Sequence, residues 1–266
     1  MTASTRLDVL MAERGLAESR SRAQALIMAG RVLVEGSVVT KAGSPVPETA
    51  RVELVSPPRY VSRGGEKLET GLRRFGVEVA GERCLDLGAS TGGFTDCLLQ
   101  HGAAHVVALD VGRNQLHERL RADDRVTVLD GVNARRLEPG MLPYAPGLVT
   151  ADVSFISLRL VMPAALACAA ESWRALVLVK PQFEAGRRDV RRGVVRDPEV
   201  RRRVLREWCE FVAGAGAAVL GVCDSSAPGP AGNREYVVYM AAAGHPAAQE
   251  GRVDVERAIA DAVADA

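Results

Sequence analysis

The fold of this chain is organised around Cys84-Leu85-Asp86-Leu87-Gly88-Ala89-Ser90-Thr91-Gly92-Gly93-Phe94-Thr95. Cys84 to Leu87 is typical of a short buried strand, and the apolar run from Phe94 to Leu99 is typical of a helix. The glycine-rich turn between them brings the free N–H groups of a helix N-terminus close to a ligand. Ser90 stands where G-x-G-x-x-G needs its second glycine, so the turn is not the dinucleotide-binding fingerprint. A glycine-rich turn by itself is compatible both with a nucleotide-like ligand and with a plain tight turn.

Composition sets wide bounds on the protein. The 266 residues suffice for one large domain or two smaller ones, and 34 Lys and Arg against 33 Asp and Glu point to no class of partner. Five scattered cysteines without C-x-x-C or Cys/His spacing predict a reducing cytosol and neither disulfides nor zinc. The first residues, with Arg6, Asp8 and Glu13 among them, lack the apolar core of a signal peptide, and the longest uncharged apolar run, Phe211 to Cys223, is too short to cross a bilayer. We expect a soluble cytoplasmic protein with no membrane partner and no metal.

Residues 1–58 predict a self-contained α+β unit. The spacing of apolar residues indicates a helix over residues 7–11 and a second helix capped by Ser19. Residues 32–39 are typical of a hairpin, and residues 51–55 are typical of a further strand. Basic residues fall on or beside these elements without an acidic partner at each position: Arg6, Arg20, Arg22, Arg31 and Lys41.

This unit resembles an S4 domain, a small module that binds structured RNA in ribosomal protein S4 and in several RNA-modifying enzymes. The resemblance is carried by Arg6-Leu7-Asp8, Ser21-Arg22-Ala23, Ile27, Gly30-Arg31-Val32, Val34 and Gly36. It implies that the five basic residues and Arg63 contact RNA. The alternative is a helical cap domain with solvated arginines.

A linker and a helix follow the first unit. Pro57-Pro58 indicates a stiff connection, and we assign residues 59–63 to the linker and residues 64–266 to a second domain. Gly64-Gly65 begins a helix with Leu68, Leu72 and Phe75 on its apolar face. Lys67 lies off that face, where a helix lysine taken by itself is most simply solvated.

From Gly81 onward, apolar strands alternate with helical segments, which predicts an open parallel α/β sheet. The predicted strands are 84–87, 105–110, 126–129, 148–152, 175–180, 217–223 and 236–240. Ligands of such sheets bind beyond the carboxyl ends of the strands. Asp110, about twenty residues after the glycine turn, is placed to accept hydrogen bonds from ribose hydroxyls, or to end a strand in a turn. Asp130 is placed to contact an adenine edge, although a turn at Asp130-Gly131 explains it equally well.

Ionisable side chains also stand at the ends of three later strands. Asp152 and Lys180 end apolar strands, and Glu235 begins the last one, so an antiparallel last strand would bring all three to one rim. A lysine acts as a general base when a second cation, here Lys67, and partial burial lower its pKa. This cluster therefore suits the deprotonation of a weakly acidic hydroxyl, and the structural alternative is a buried ion-pair network that closes the sheet.

The glycine turn together with Lys67, Asp152, Lys180 and Glu235 resembles the FtsJ/RrmJ-type ribose 2′-O-methyltransferases. An S4 unit joined to such a domain resembles the TlyA, or haemolysin A, family. Further matching motifs are Arg63-Gly64-Gly65-Glu66-Lys67-Leu68, Asp152-Val153-Ser154-Phe155 and Val179-Lys180-Pro181-Gln182-Phe183-Glu184. The resemblance implies an α/β fold: a Rossmann-like seven-stranded methyltransferase sheet with a small N-terminal α+β S4 domain. It also implies methylation of the ribose 2′-OH of cytidine in 16S or 23S ribosomal RNA, or both.

The resemblance further implies a role for each site residue. S-adenosylmethionine would contact Asp86, Gly88, Ala89, Ser90, Thr91, Gly92, Gly93, Phe94, Asp110 and Asp130. Lys180 would take or polarise the 2′-OH proton, with Lys67 and Asp152 holding Lys180 and the sugar. Glu235 would position Lys67 or the ribose, and no metal is needed. The S4 unit and part of the arginine-rich run 187–206 would bind phosphates, the rest of that run being a solvated helix face.

Three rival functions remain at this point. A membrane-lytic haemolysin is suggested only by the older family name, and no strongly amphipathic cationic helix supports it. A non-catalytic RNA-binding or ribosome assembly factor would tolerate loss of Lys180. An NAD-dependent oxidoreductase is disfavoured by Ser90 and by the lack of a second domain for its substrate. The sequence leaves open the target nucleotide, the ribosomal subunit, the role of the acidic tail from Gln249, any haemolytic activity and the oligomeric state, with a monomer favoured.

Overall fold

The structure is a computed structural model that describes residues 4–55, 58–229, 231–250 and 253–266. The chain divides into two compact units, Met1–Pro58 and Arg59–Ala266. Residues 59–63, assigned above to the linker, form part of the larger unit, where Tyr60 is buried and the Val61 N–H donates to Asp96 at 2.8 Å. Of the Pro57-Pro58 pair, Pro57 lies outside the described residues.

The smaller unit is an α+β module, as predicted. Its elements are β1 (Ser4–Arg6), α1 (Leu7–Glu13), α2 (Arg20–Met28), β2 (Val32–Val34), β3 (Ser37–Val38), β4 (Pro45–Pro47) and β5 (Val52–Leu54). Strands β3, β2 and β5 form an antiparallel sheet, and β1 pairs with β4. The Ser19 hydroxyl caps α2 by accepting from the Arg22 N–H at 3.2 Å. Leu7, Met11 and Ile27 are fully buried and form the core between the two helices.

The larger unit is a seven-stranded sheet with helices on both faces. Its elements are α3 (Gly64–Phe75), β6 (Arg83–Leu87), α4 (Gly93–Gln100), β7 (His105–Asp110), α5 (Glu118–Arg121), β8 (Val126–Asp130), β9 (Leu148–Ala151), α6 (Leu158–Ala167), β10 (Arg174–Val179), α7 (Pro181–Glu184), α8 (Pro198–Gly214), β11 (Ala217–Asp224), β12 (Tyr236–Ala242), α9 (Pro246–Glu250) and α10 (Val255–Ala264). The strand order is β11-β12-β10-β9-β6-β7-β8. Every strand predicted from the sequence is present, with bounds within two residues.

The direction of β12 brings the polar strand ends together. Strands β10, β9, β6, β7 and β8 run parallel, whereas β12 lies between β10 and β11 and is antiparallel to both. The start of β12 therefore lies at the same edge as the carboxyl ends of the parallel strands. Within β10, Ala175, Val177 and Val179 face one hydrophobic cluster, while Leu176 and Leu178 face the other.

Helix α3 packs directly on the sheet. A Cβ atom built on Gly71 would lie 2.6 Å from a γ-carbon of Val237 and 3.1 Å from a δ-carbon of Leu176, so only glycine permits this approach. The close packing carries Lys67 into the interior, where it is 7% exposed. The simplest interpretation of Lys67 from sequence, a solvated helix lysine, is therefore wrong.

We expect Gly71→Ala to lower the free energy of unfolding by about 1–3 kcal/mol, because the added methyl group would overpack the contact between α3 and β12. Gly214→Ala in α8 is the matched control, since nothing lies within 4 Å of a Cβ atom at that position. The control should be neutral or slightly stabilising. Urea unfolding followed by circular dichroism measures both variants, and equal stabilities would contradict the packing argument.

Candidate active site at the carboxyl edge of the sheet

The glycine turn after β6 is held between two neighbouring strand ends. Gly88 has a φ of +77°, and a Cβ atom there would lie 2.7 Å from the carbonyl oxygen of Asp152, so the position requires glycine. Ser90 adopts a left-handed φ of +47°, and its N–H donates to a carboxylate oxygen of Asp110 at 2.8 Å. The other Asp110 oxygen accepts from the Gly112 N–H at 2.7 Å. Asp110 thus fixes the backbone of the turn.

Asp86 differs from the prediction that it contacts a cofactor. Its side chain is fully buried, and its oxygens accept hydrogen bonds from the Thr95 hydroxyl at 2.7 Å and the Thr150 hydroxyl at 3.1 Å. Burial raises the pKa of this carboxyl to about 7, against the effect of the two threonine hydrogen bonds. Asp86 therefore joins β6, α4 and β9 below the turn and does not line a cavity.

A polar cavity of about 270 Å³ opens above the turn. The predicted turn residues that line it are Gly88, Ala89, Ser90, Thr91, Gly93 and Phe94. Gly92 does not line it, because this glycine has a φ of +98° and packs against the side chains of Leu116 and Leu120. The structure thus shows a packing role for Gly92, and its cofactor contact stays a prediction.

A second cavity, of about 480 Å³, lies beside the first. Asp110 lines it together with Leu109, Val132, Asn133 and Val161. A carboxylate at the end of the second strand and an apolar slot are the groups that a nucleoside needs, for its ribose and its base respectively. The volume also lies in the range of small-molecule sites. The residues of this cavity therefore fit a nucleoside-containing cofactor.

Asp130 does not line either cavity, contrary to its predicted contact with adenine. Its carboxylate accepts from Arg121 at 2.8 Å and from the Asn114 N–H at 3.1 Å, and Arg121 holds the pKa of Asp130 below its ordinary value. Gly131 has a φ of +74°, which agrees with the alternative interpretation of a turn. Asn133, three residues later, lines the cavity instead and was missed by the sequence analysis.

The four ionisable residues predicted to cluster meet at the polar cavity as two ion pairs. Lys180 Nζ lies 2.7 Å from Asp152 Oδ1 and donates to the Ser154 hydroxyl at 2.8 Å. Lys67 pairs with Glu235, and both side chains are buried. Buried charges are stable only when paired in this way. The cavity thus presents two ammonium groups, each balanced by its own carboxylate.

Glu235 is held from two further sides. Its second carboxylate oxygen accepts from the Gln182 side chain at 3.2 Å, and a Cβ atom on Gly229 would lie 2.5 Å from that oxygen. The Gly229 N–H donates to the Asn233 carbonyl at 2.9 Å, which closes the loop before β12. Glycine at position 229 thus lets the backbone of this loop approach the Glu235 carboxylate.

The two cavities are adjacent and share part of their walls. Both are lined by Gly88, Ser90, Asp152 and Ser154. A ligand in the larger cavity and a second ligand in the polar cavity would therefore meet beside the Lys180–Asp152 pair. This arrangement suits the transfer of a group between two bound molecules with a proton acceptor at the junction.

An exposed aromatic residue at the rim was not singled out by the sequence analysis. Phe155 lines the larger cavity, is 90% exposed and has a left-handed φ of +63°. Its ring centroid lies 5.1 Å from that of Phe183. An exposed side chain on a strained backbone is a common sign of a binding surface. The only available signal in the sequence was its position directly after Asp152-Val153-Ser154.

The five basic residues of the smaller unit that were predicted to contact RNA fall into three groups. Arg6 and Arg20 both pair with the buried carboxylate of Asp8, at 2.9 Å and 3.0 Å, so the expectation that they lack an acidic partner is wrong. These contacts, led by the Arg6 hydrogen bond, hold the pKa of Asp8 well below its ordinary range. Arg22 and Lys41 are exposed and have no ion pair among the described residues. Arg31 donates to the Val55 carbonyl at 3.1 Å.

The cysteines are buried and free. Burial raises the pKa of the Cys97, Cys209 and Cys223 thiols to about 12, so they stay protonated at neutral pH. In the described part of the chain, no group of three or more His, Cys, Asp or Glu side chains could hold a metal ion. None of the helices within the described ranges has both the length and the apolar composition to cross a membrane.

Fold and site define an FtsJ-like methyltransferase joined to an S4 domain: residues 60–242 match the family model "FtsJ-like methyltransferase", and residues 5–52 match the S4 domain model. The chain is 46% identical to the 16S/23S rRNA (cytidine-2′-O)-methyltransferase TlyA of Mycobacterium tuberculosis, over 90% of this chain and 91% of that protein. It is 42% identical to Hemolysin A of Brachyspira hyodysenteriae, over 88% of this chain and 99% of that protein. The chain therefore belongs to the TlyA family.

A solved structure supports the same assignment. It comes from Streptococcus thermophilus, is described provisionally as a hemolysin, and superposes with a TM-score of 0.76 at 38% identity. The superposition covers 100% of this chain and 96% of that one. The family and the fold class predicted from the sequence motifs are thereby confirmed.

We expect the buried carboxyl of Asp86 to make stability depend on pH. Its pKa is about 7 in the folded chain against an ordinary value of 3.8, so between these pH values the native state binds more protons than the unfolded state. The free energy of unfolding should therefore fall as pH rises from about 4 to about 7. Asp86→Asn removes this titration and should flatten the profile. Urea unfolding of both proteins at several pH values measures the difference, and parallel profiles would contradict it.

Proposed function

We propose that this chain is an S-adenosylmethionine-dependent methyltransferase that methylates the ribose 2′-OH of cytidine in ribosomal RNA and acts in the cytoplasm. The observation that carries the proposal is that two adjacent cavities share a wall that contains Asp152 and Ser154, with Asp152 paired to Lys180. One cavity fits a nucleoside cofactor, and the other presents a base beside its charge partner. The name of the 46% identical relative from Mycobacterium tuberculosis supports the RNA and the position methylated.

S-adenosylmethionine supplies an electrophilic methyl group when bound. Asp110 would accept hydrogen bonds from its ribose hydroxyls, and the slot around Val132 and Val161 would receive its adenine. The turn at Gly88 brings backbone close to the remainder of the molecule, because the position has no side chain. These residues would hold the cofactor beside the polar cavity.

Lys180 removes the proton of the target hydroxyl. In its neutral form, Nζ accepts the 2′-OH proton as the oxygen becomes nucleophilic, and Asp152, whose carboxylate lies 2.7 Å away, stabilises the ammonium that forms. The Ser154 hydroxyl orients Nζ from a second direction. The Lys67–Glu235 pair holds the ribose beside this group. Most of the rate enhancement comes from the alignment and desolvation of the two reactants.

A basic hairpin next to the site, formed by residues 187–196, binds RNA phosphates. Its arginines are exposed and have no ion-pair partner among the residues that the structure describes: Arg187, Arg188, Arg191, Arg192 and Arg196. The side chain of Asn233 fixes the hairpin, accepting from the Val195 N–H at 3.0 Å and donating to the Gly193 carbonyl at 2.8 Å. The hairpin is thus attached to the loop that precedes Glu235.

The arginines of this run that lie in α8 form ion pairs within the protein instead. In α8, Arg202 pairs with Glu199, Arg203 pairs with Asp189 at 2.6 Å, and Arg206 pairs with Glu256 at 2.6 Å. Charges that are already balanced contribute little to phosphate binding. Phosphate contact therefore belongs to the hairpin, to Arg63 at the polar cavity and, in the S4 domain, to the exposed Arg22 and Lys41.

Lys180→Arg tests the reaction more sharply than Lys180→Ala. Arginine keeps the positive charge but does not give up its proton at working pH. We expect both variants to lose about 10²–10⁴-fold in methyl transfer from labelled S-adenosylmethionine to isolated ribosomal subunits. Digestion to nucleosides should place the wild-type label in 2′-O-methylcytidine.

Binding of S-adenosylhomocysteine and the thermal midpoint serve as controls that the Lys180 variants fold. Near-wild-type transfer by Lys180→Arg would exclude Lys180 as the proton acceptor. Label on a base would overturn ribose methylation. No transfer by a wild-type protein that binds both cofactor and RNA would favour the assembly-factor alternative.

Replacement of Arg188, Arg191 and Arg192 by alanine should weaken RNA binding and make it less sensitive to salt. Each lost phosphate contact lowers the slope of log K against log salt concentration by about 0.7–0.9. Arg206→Ala is the control for loss of an exposed arginine, because Arg206 is also exposed but paired with Glu256. Filter binding over a range of salt concentrations measures the slopes. Identical slopes for the triple variant and the control would contradict the assignment.

A further inference from the structure

Two short segments carry the Lys180–Asp152 pair. The segment 152–158 follows β9, and the segment 180–184 follows β10. Because β9 and β10 are parallel neighbours, both segments leave the sheet at the same edge. Lys180 contacts the first segment through Asp152 and Ser154. The geometry of proton transfer thus depends on how these two segments are held together.

Glu184 forms a second connection between them. One of its carboxylate oxygens accepts from the Ser157 hydroxyl at 2.6 Å, and the other accepts from the Leu158 N–H at 2.7 Å. Leu158 is the first residue of α6, and Ser157 is its N-cap. A carboxylate at this position satisfies a free helix N–H and interacts favourably with the helix dipole. Glu184 therefore anchors the far end of the segment that begins at Asp152.

Glu184 is also tied closely to Lys180. Lys180 is the N-cap of the one-turn helix α7, and Glu184 is its last residue. Two backbone hydrogen bonds hold this turn: the Phe183 N–H donates to the Lys180 carbonyl, and the Ala185 N–H donates to the Pro181 carbonyl, each at 2.9 Å. The ring contact between Phe155 and Phe183 joins the two segments a third time. A displacement at Glu184 is consequently transmitted to the Asp152 segment and to Lys180.

The Lys180–Asp152 ion pair and the hydrogen bonds of Glu184 respond differently when Lys180 loses its charge. The attraction between Lys180 and Asp152 weakens when Lys180 is neutral, which is the form that accepts a proton. The contacts of Glu184 involve a backbone N–H and a serine hydroxyl, so they persist in either protonation state. Phe155 also keeps its left-handed backbone between these anchors, a conformation that persists only when its surroundings impose it.

We infer that Glu184 is a positioning residue, which holds Asp152 and Ser154 in register with Lys180 while Lys180 is uncharged. The inference rests on the proposed function, since it concerns the same proton transfer. It assigns a role to a carboxylate that neither of the two cavities exposes. A displacement of reacting groups by about 1 Å can cost about 10²-fold in rate.

The test compares Glu184→Ala, Glu184→Gln and Asp254→Ala in methyl transfer to ribosomal subunits, with cofactor and RNA both saturating. Glutamine can still accept from the Leu158 N–H and bond to the Ser157 hydroxyl, so it should stay within about threefold of wild type. Glu184→Ala should lose about 10–100-fold in kcat. Asp254→Ala removes the cap of the distant helix α10 and should leave kcat unchanged.

Thermal unfolding sets an assay temperature at which all the variants are folded. If Glu184→Ala does not fold, Ser157→Ala, which removes one of the two contacts, replaces it and should lower kcat by about 3–10-fold. A kcat for Glu184→Ala or its replacement within twofold of that for Asp254→Ala would overturn the positioning role, as would a Glu184→Gln defect as large as that of alanine. An inactive wild-type protein would instead overturn the proposed function, and the inference with it.

Discussion

The burial of two lysines at the carboxyl edge of one sheet is the constraint on which the rest of the larger unit depends. An unpaired ammonium in this position would be strongly destabilising, so each lysine needs a carboxylate of its own. The antiparallel direction of β12 delivers Glu235 to the edge, and Gly71 lets α3 bring Lys67 to it. Strand order, glycine placement and the closed loop at Gly229 all serve this pairing.

The choice of lysine at these positions is chemically specific. The chain has 31 arginines and only three lysines, yet two of those lysines, Lys67 and Lys180, line the polar cavity. Arginine supplies positive charge wherever charge alone is needed, as in the hairpin after α7. It does not release its proton at ordinary pH, whereas lysine can. Two of the three lysines thus lie where the proposed reaction needs a group that can exchange a proton, and this bias was a signal that the sequence contained from the start.

The site is supported from outside by residues that do not line it. Asp86 joins three elements under the glycine turn, Glu184 connects the segments that carry Lys180 and Asp152, and Asn233 attaches the basic hairpin to the loop before Glu235. Each of these side chains accepts hydrogen bonds from groups on other elements. Buried polar groups with all their partners in place specify one arrangement of the backbone. These supporting residues therefore fix the positions of the side chains that line the polar cavity.

The sequence by itself determined the seven strands, the two-unit organisation and three of the four residues that meet at the polar cavity, because strand periodicity and residues at strand ends are local features. The fourth, Lys67, joined them only through the family resemblance, since by itself it indicated a solvated helix lysine. The sequence did not determine which charged side chains form ion pairs with each other or which face inward. The ion pair of Lys67 with Glu235 joins residues 168 positions apart, the engagement of Asp130 by Arg121 removes it from the cofactor cavity, and Asp86 faces inward. Strand register and the close approach of helices decide these contacts, and both arise from packing between distant segments that no local pattern encodes.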